Sequence, residues 1–111
     1  MGKFILDPCV EDELWAIWEF IANDNPDAAT RVVEAARETC KMLAENPGLG
    51  RSRKFRDERL RGVRSFRVAG FDNYLIFHRE MRDGIQVLHV YHGARDIEAL
   101  FEENRKDRSP E

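Results

Sequence analysis

The sequence predicts an α+β domain with the order β-α-α-β-β-β, in which an antiparallel helical hairpin packs on one face of a mainly antiparallel sheet. Three observations lead to this prediction. Residues 60–96 contain three β-prone runs separated by reversal signals, two amphipathic helical patterns precede them, and a short β-prone run opens the chain. The 111 residues suit one domain, which we expect to span residues 1–101, followed by a charged tail at residues 102–111.

The C-terminal half predicts three consecutive strands that contain Phe66–Val68, Tyr74–Arg79 and Ile85–His92. Asp83-Gly84 favours a tight hairpin between the last two strands, because both residues tolerate the positive φ of primed turns. Gly70 and the Asp72-Asn73 pair predict the other reversal. The last strand is apolar on both faces, so we expect it to lie centrally in the sheet.

Strict alternation along the last strand predicts which residues share a face. Ile85, Val87 and Tyr91 fall on one side, and Leu88 and Val90 fall on the other. His89 and His92 are an odd number of residues apart and are expected on opposite faces. The sequence therefore predicts no metal site built from its histidines.

The N-terminal part predicts an edge strand at Lys3–Leu6 and a helix that begins after Asp7. Asp7 suits the N-cap and Pro8 the first helical position, where a missing N–H removes no intrahelical bond. The apolar stripe of this helix comprises Leu14, Ile17, Trp18 and Ile21, with Trp15 and Phe20 on its flanks. Such an aromatic face is typical either of core packing, which we favour, or of a groove for a partner protein.

A second helix is predicted from Pro26, with Asn25 as its cap, to the break at Asn46-Pro47-Gly48. Its helically spaced apolar residues are Ala29, Val32, Val33, Ala36, Cys40 and Leu43. The short break at residues 23–26 makes an antiparallel hairpin with the first helix. Cys9 and Cys40 are then about equally far from the turn and are expected as reduced, buried thiols, with a disulfide as the alternative.

The composition, 42% hydrophobic and 35% charged, is that of a globular protein. No apolar run approaches the ~20 residues of a membrane span, and the N-terminus lacks the apolar region of a signal peptide. Two cysteines are too few for a disulfide scaffold. We therefore expect a cytoplasmic protein. No phosphate loop, zinc spacing or nucleophile motif is present, so no cofactor is expected.

Basic residues are concentrated in one window, although the net charge of the chain is −3. Residues 51–67 contain eight basic and two acidic residues, which gives this window a charge of +6 and leaves −9 for the rest of the chain. This asymmetry predicts one positive surface on an acidic body, either a binding surface or a solvated loop.

Metal-free RNA cleavage needs a base, a cation for the phosphorane and an acid. The residues that suit these roles are Arg61, Arg79, Tyr91, His92 and Arg95. Arginine stays protonated in proteins, so His92 is the group whose unperturbed pKa suits acid–base work. Nothing in the sequence places His92 beside the arginines.

A series of short motifs runs through the chain from Phe4 to about Phe101. They are Trp18-x-Phe-Ile-Ala, Asn25-Pro26-x-Ala-Ala, Leu43-Ala-x-Asn-Pro-x-x-Gly50-Arg51, Leu60-Arg61, Tyr74-Leu-Ile-Phe-His-Arg79, Ile85-x-Val-Leu-His-Val90 and His92-Gly-Ala-Arg-Asp96. Their order and spacing resemble the RelE/ParE superfamily of type II toxins. The helix start at Asn25 and the ending at His92-Gly93 are more similar to the ParE-like branch.

The resemblance implies the toxin of a type II toxin–antitoxin system, neutralised by a cognate ParD-like antitoxin through which any contact with DNA is made. ParE-like members poison DNA gyrase, and this activity is expected here. The alternatives are a ribosome-dependent mRNA endoribonuclease of the RelE type, or an inactive antitoxin-binding module. Expected target contacts are Arg51, Arg53, Arg61, Arg79 and Arg95, and expected antitoxin anchors are Trp15, Trp18 and Phe20. Only a RelE-like chain would use Arg61, Arg79, Tyr91, His92 and Arg95 in catalysis.

Overall fold

The structure, a computed structural model, describes residues 2–93, 99 and 101. The elements in chain order are β1 (Lys3–Leu6), α1 (Pro8–Ala22), α2 (Pro26–Glu45), β2 (Arg51–Ser52), a 3₁₀ turn (Glu58–Leu60), β3 (Arg64–Val68), β4 (Phe71–Met81) and β5 (Gly84–His92). The strands form one five-stranded sheet in the order β1-β5-β4-β3-β2. Two helices on a mixed sheet confirm the predicted α+β class.

The sheet is antiparallel except at one edge, where β1 pairs in parallel with β5, the next strand inward. This confirms β1 as an edge strand and β5 as a covered one. The other edge of the sheet differs from the prediction, because the first two residues of the basic window, Arg51 and Ser52, form the short strand β2. There Arg51 pairs with Ser65, and Ser52 pairs with Arg64.

Both reversals occur near their predicted places, but their details differ. Met81 pairs with Gly84 and leaves Arg82-Asp83 as the hairpin loop. The predicted primed turn is wrong, because no non-glycine residue in the described part of the chain has a positive φ. Gly70, with a φ of +83°, makes the β3–β4 turn, whereas Asp72 and Asn73 already belong to β4.

A β-bulge in β5 changes which residues share a face. Val87 pairs with His78 and His89 pairs with Phe77, so Leu88 is the extra residue. The bulge moves Val90 to the side of Ile85 and Val87, while Leu88 and Tyr91 pack together elsewhere. Strict alternation was therefore the wrong expectation beyond Val87.

The sheet carries a separate apolar cluster on each face. The helix face packs α1 and α2 against the strands through a cluster that includes Val10, Leu14, Cys40, Leu43, Val68, Ile76, Ile85, Val87 and Val90. Alternation along β4 places Phe77 on the face of the sheet that is opposite to that of Ile76, and we call this second face the open face. The smaller cluster lies on the open face and comprises Val63, Phe77, Leu88, Tyr91 and Phe101, with Phe55, Leu60 and Leu75 at its border.

The helical hairpin follows the predicted signals with one change. Asn25 caps α2 by accepting a hydrogen bond from the backbone N–H of Ala28 at 3.0 Å, and Pro26 and Pro8 begin their helices. The Asp7 side chain does not cap α1. It accepts instead from Nε2 of Gln86 at 2.7 Å and so ties the helix start to β5.

Two further observations bear on the sequence predictions. The sequence also predicts a short helical turn at residues 96–101, and most of this turn, like the Arg95-Asp96 pair, lies outside the described residues. Within the described ranges, no helix combines the length and apolar character that crossing a membrane requires.

Candidate functional site

A basic pocket lies on the open face of the sheet, where β2, β3 and the ends of β4 and β5 meet. Its volume is about 380 Å³. It is lined by Arg51, Arg53, Ser65, Arg67, Asp72, Asn73, Leu75, His92 and Gly93. Three arginines and a histidine against one aspartate make this cavity a site for anionic groups.

The pairing of β2 with β3 positions the pocket's arginines. Beyond β2, the N–H of Arg53 donates to the carbonyl of Val63 at 2.9 Å. Its Nε donates to Oγ of Ser65 at 2.8 Å. The guanidinium carbon lies 5.5 Å from the centre of the Phe77 ring, within cation–π range. The Arg53 side chain is therefore held by two contacts, and its backbone by a third.

Burial, and then the neighbouring charge of Arg51, lowers the pKa of the Arg53 guanidinium from its usual value. A cation that has lost part of its hydration and lies beside a like charge is strongly stabilised when an anion binds to it. The electrostatics of the pocket therefore favour a phosphate or carboxylate at Arg53.

The structure separates the predicted target-binding arginines into groups. Arg51 and Arg53 line the pocket, together with Arg67, which was counted in the basic window but not assigned a role. Arg67 follows Ser65 by two residues on β3 and therefore lies on the same face of the sheet. This spacing is the sequence signal that could have placed Arg67 in the pocket.

Arg61 and Arg79 do not line the basic pocket. Nη1 of Arg79 donates to the carbonyl of Arg59 at 2.6 Å, which attaches the 3₁₀ turn to β4. Arg61 forms an ion pair with Glu58 at 3.3 Å, and both side chains are largely exposed. Arg95 lies outside the described residues.

A second region, here called the aromatic surface, comprises two parts of α1: Trp15 and Trp18 on the side of α2, and Phe20 on the side of the sheet. Trp15 is 60% exposed and Phe20 is 75% exposed. The two indoles stack with ring centres 5.5 Å apart, and Nε1 of Trp18 donates to Oγ1 of Thr30 at 3.1 Å. The preference for core packing was wrong for Trp15 and Phe20, and Trp18 is half-buried rather than buried. The partner-groove alternative fits this exposure.

Two grooves flank the aromatic surface. One, of about 200 Å³, runs along the helical hairpin and is lined by Glu11, Leu14, Trp15, Trp18, Val33 and Arg37. The other, of about 380 Å³, lies between α1 and the end of the sheet and is lined mainly by apolar groups of Ala16, Ile17, Phe20, Tyr74, Val90 and Tyr91, with Glu13 and His92. Trp15 and Phe20 thus each stand beside a concavity.

Neither of the two cysteines is in a disulfide, and their surroundings differ. Burial raises the pKa of Cys40 to about 12, which keeps its sulfur protonated and inert. Cys9 is half-buried, and its Sγ lies 3.6 Å from Nδ1 of His89. The structure therefore contains no Cys9–Cys40 disulfide.

Comparison with known proteins identifies the family. The sequence profile of the ParE toxin of the type II toxin–antitoxin system parDE matches residues 4–97. The chain belongs to the ParE toxin family. Among solved structures, a similar chain comes from the chromosomal ParDE toxin–antitoxin system of P. aeruginosa, with 22% identity, a TM-score of 0.66, and coverage of 83% of this chain and 96% of that one. A comparison with curated proteins gave no match.

The family assignment and the geometry together define what chemistry this ParE toxin can offer. Tyr91 is only 5% exposed, packs among Phe77, His89 and Phe101, and does not line the basic pocket. His92 is exposed and lines the basic pocket. Within the described residues, the pocket thus presents cations and one side chain suited to acid–base chemistry.

Proposed function

We propose that this toxin inhibits growth by poisoning DNA gyrase, and that the basic pocket contacts the gyrase–DNA complex. The observation that supports this is the convergence of Arg51, Arg53 and Arg67 on one cavity of the open face. ParE-family membership makes gyrase the target to test first.

The physical basis is recognition of negative charge without a catalytic step. Guanidinium groups bind phosphates and carboxylates through paired N–H donors. Arg53 is pre-positioned by Ser65 and Phe77, so little side-chain entropy is lost when an anion binds. DNA held by gyrase, and acidic patches of gyrase itself, offer such anions.

The test is a cleavage assay with the purified full chain, gyrase, supercoiled DNA and ATP. We expect cleaved, protein-linked DNA to accumulate with the wild type and to fall at least about tenfold with Arg53→Gln, in line with the loss of one charge-assisted contact. Arg82→Gln is the matched control, because Arg82 lies in the β4–β5 turn at the opposite end of these strands. No cleaved DNA with any concentration of wild-type toxin would contradict the proposal.

The position of His92 beside the arginines supports a second candidate, an mRNA endoribonuclease. In that activity His92 would exchange protons while the arginines stabilise the phosphorane. His92→Ala separates the candidates: gyrase poisoning should persist, whereas a ribonuclease should lose cleavage of ribosome-bound message in primer-extension experiments. Absence of both activities, and of any growth defect, would indicate the inactive antitoxin-binding module.

We propose that a ParD-like antitoxin neutralises the toxin by covering the aromatic surface on α1. The exposed Trp15 beside a groove has the properties of an interface hot spot, a class enriched in Trp, Tyr and Arg. The apolar groove beside Phe20 suits one face of an amphipathic helix, and Arg37 at the hairpin groove offers a charge for an acidic residue.

Intrinsic fluorescence measures this directly, because Trp15 and Trp18 are the two tryptophans of the chain. Binding of the antitoxin encoded beside the toxin should shift the emission to shorter wavelength. Trp15→Ala should weaken binding ~30-fold or more, the effect of losing a hot spot of about 2 kcal/mol. Lys41→Ala, an exposed change on α2, is the control. Full antitoxin affinity in Trp15→Ala would contradict the assignment of this surface.

A further inference from the structure

Three metal-binding side chains of different chemistry meet between α1 and β5. Cys9 and Glu13 are one helical turn apart on α1 and reach the same point of β5, where His89 lies. Nδ1 of His89 is 3.6 Å from Sγ of Cys9 and 2.6 Å from Oε2 of Glu13. One ligand atom from each residue lies within 4.8 Å of the other two.

The surroundings hold these side chains in position. Oε1 of Glu13 accepts a hydrogen bond from the backbone N–H of Val90 at 2.9 Å, which directs the other carboxylate oxygen towards His89. The His89 ring stacks on Tyr91 and meets the edge of Phe101, each with ring centres 4.6 Å apart. Such outer contacts are what orient the ligands in protein metal sites.

The arrangement does not suit nucleophilic catalysis. In a cysteine–histidine–carboxylate triad the thiol and the carboxylate contact opposite nitrogens of the imidazole, so that one nitrogen takes the thiol's proton while the carboxylate orients the ring from the other. Here the Cys9 sulfur and the Glu13 carboxylate both approach Nδ1. Because both groups approach the same nitrogen, they are placed to bind a single ion together with that nitrogen, and not to form a catalytic triad.

We propose that Cys9, Glu13 and His89 form a binding site for a divalent transition metal, of which zinc matches the donor set best. A thiolate, a carboxylate and a neutral imidazole carry two negative charges, which balance the ion. Zinc takes Cys, His and Glu ligands in tetrahedral geometry, while the thiolate disfavours magnesium and calcium.

The distances agree with this geometry after one small movement. Around tetrahedral zinc, a sulfur and a nitrogen ligand lie about 3.5 Å apart, close to the observed separation of Cys9 and His89. A nitrogen and an oxygen ligand lie about 3.3 Å apart, so the Glu13 carboxylate must withdraw from His89 by roughly 0.7 Å when an ion enters.

A fourth ligand position is accessible from solvent. Glu13 also lines the groove of about 380 Å³ between α1 and the end of the sheet. An ion held by three protein ligands would keep one position facing this groove, which water or a partner's side chain can occupy. The bound ion would also connect α1 to the central strand.

The experiment titrates the reduced, full-length toxin with Co²⁺ and then displaces it with Zn²⁺. We expect one equivalent of cobalt to give a tetrahedral visible spectrum with a sulfur charge-transfer band, and zinc to abolish both. Zinc should also raise the thermal unfolding midpoint, because it binds the folded chain. Cys9→Ser should remove the charge-transfer band. Glu13→Gln should weaken cobalt binding at least about tenfold, because even the loss of a residue that only supports a metal ligand has an effect of this size.

Two variants serve as matched controls. Cys40→Ser removes the other thiol, and His92→Ala removes an exposed histidine of the same groove. Both should keep the cobalt spectrum of the wild type. The proposal is overturned if cobalt does not saturate at one equivalent, if the charge-transfer band survives Cys9→Ser, or if Cys40→Ser removes it. If Cys9→Ser does not fold, a Glu13→Gln variant that binds cobalt with the affinity of the wild type would also overturn the proposal.

Discussion

The two faces of the sheet differ in how completely they are covered. On the helix face, two helices bury Ile76, Ile85 and Val87 to zero exposure. On the open face, the covering consists of the segment around Phe55–Leu60 and the side chain of Phe101, and the basic pocket lies beside it. The same five strands therefore present a sealed apolar layer on one side and an accessible cationic surface on the other.

This difference separates stability from function within one sheet. Apolar burial on the helix face supplies most of the driving force for folding. The arginines of the open face contribute little to that layer and are available to a target. Substitutions on the helix face should therefore act through unfolding, and substitutions in the basic pocket through loss of toxicity.

Neighbours on β4 give the sharpest contrast. Ile76→Ala, which opens a cavity in the sealed layer, should lower the free energy of unfolding by about 3–4 kcal/mol. Leu75→Ala removes a half-buried side chain that faces the basic pocket and should lower it by about 1 kcal/mol. Urea denaturation measures both. Equal losses would show that the two faces are equally important to stability.

His78 provides a pH-dependent test of the sealed side. The ring is fully buried, and within the described part of the chain neither of its nitrogens has a hydrogen-bond partner. Burial, helped by the charge of Arg64, lowers the pKa of His78 from its usual 6.5 to about 4. Between these values the unfolded chain binds a proton that the folded chain excludes, so stability falls as the pH falls, by ~3 kcal/mol across the window.

His78→Leu should abolish this contribution and leave stability at neutral pH unchanged or higher, because a buried polar ring without partners is replaced by an apolar group. Urea titrations from pH ~7 to pH ~4 compare the slope with that of the wild type. An identical slope in His78→Leu would show that His78 is solvated or already paired.

Two glycines with positive φ distinguish close packing from backbone strain. At Gly50, φ is +106°, and a Cβ would lie 2.8 Å from the carbonyl oxygen of Ser65. Gly62 has φ of +84° and open space around it. Gly50→Ala should lower the unfolding free energy by about 2–3 kcal/mol and displace β2, whereas Gly62→Ala should lower it by about 1 kcal/mol, the strain alone. Similar values would show that Gly50 is not tightly packed.

The smallest effect on stability is expected at Arg61. Its ion pair with Glu58 spans 3.3 Å between side chains that are each 83% exposed. Arg61→Ala should change the unfolding free energy by less than ~0.5 kcal/mol, because water screens such pairs. The sequence-based prediction that Arg61 contacts the target then becomes testable, since reduced growth inhibition with unchanged stability would report a lost contact.

The helices and most strand positions were predictable because their signals are local. Asn25-Pro26 marks a helix start by hydrogen-bonding and φ preferences that act within one turn. The apolar spacing of α2 placed Ala36, Cys40 and Leu43 in the core, where the structure has them. The motifs that resembled the ParE-like branch led to the family that the profile match confirms.

The features that the sequence did not predict depend on contacts between distant parts of the chain. The bulge at Leu88 changes which residues of β5 share a face, and a period-two sequence pattern does not indicate where a bulge occurs. Helical periodicity cannot distinguish an aromatic side chain in the chain's own core from one exposed to solvent, which is why the preference for core packing at Trp15 and Phe20 was wrong. Cys9 and His89 are 80 residues apart, so only the fold brings them together.

The separation of the two surfaces is tested most directly by growth inhibition and antitoxin binding of the double variant Arg51→Gln/Arg53→Gln. The expected result is a folded chain that binds the antitoxin with wild-type affinity and no longer arrests growth when expressed alone. A double variant that still arrests growth like the wild type would contradict the assignment of the open face to the target.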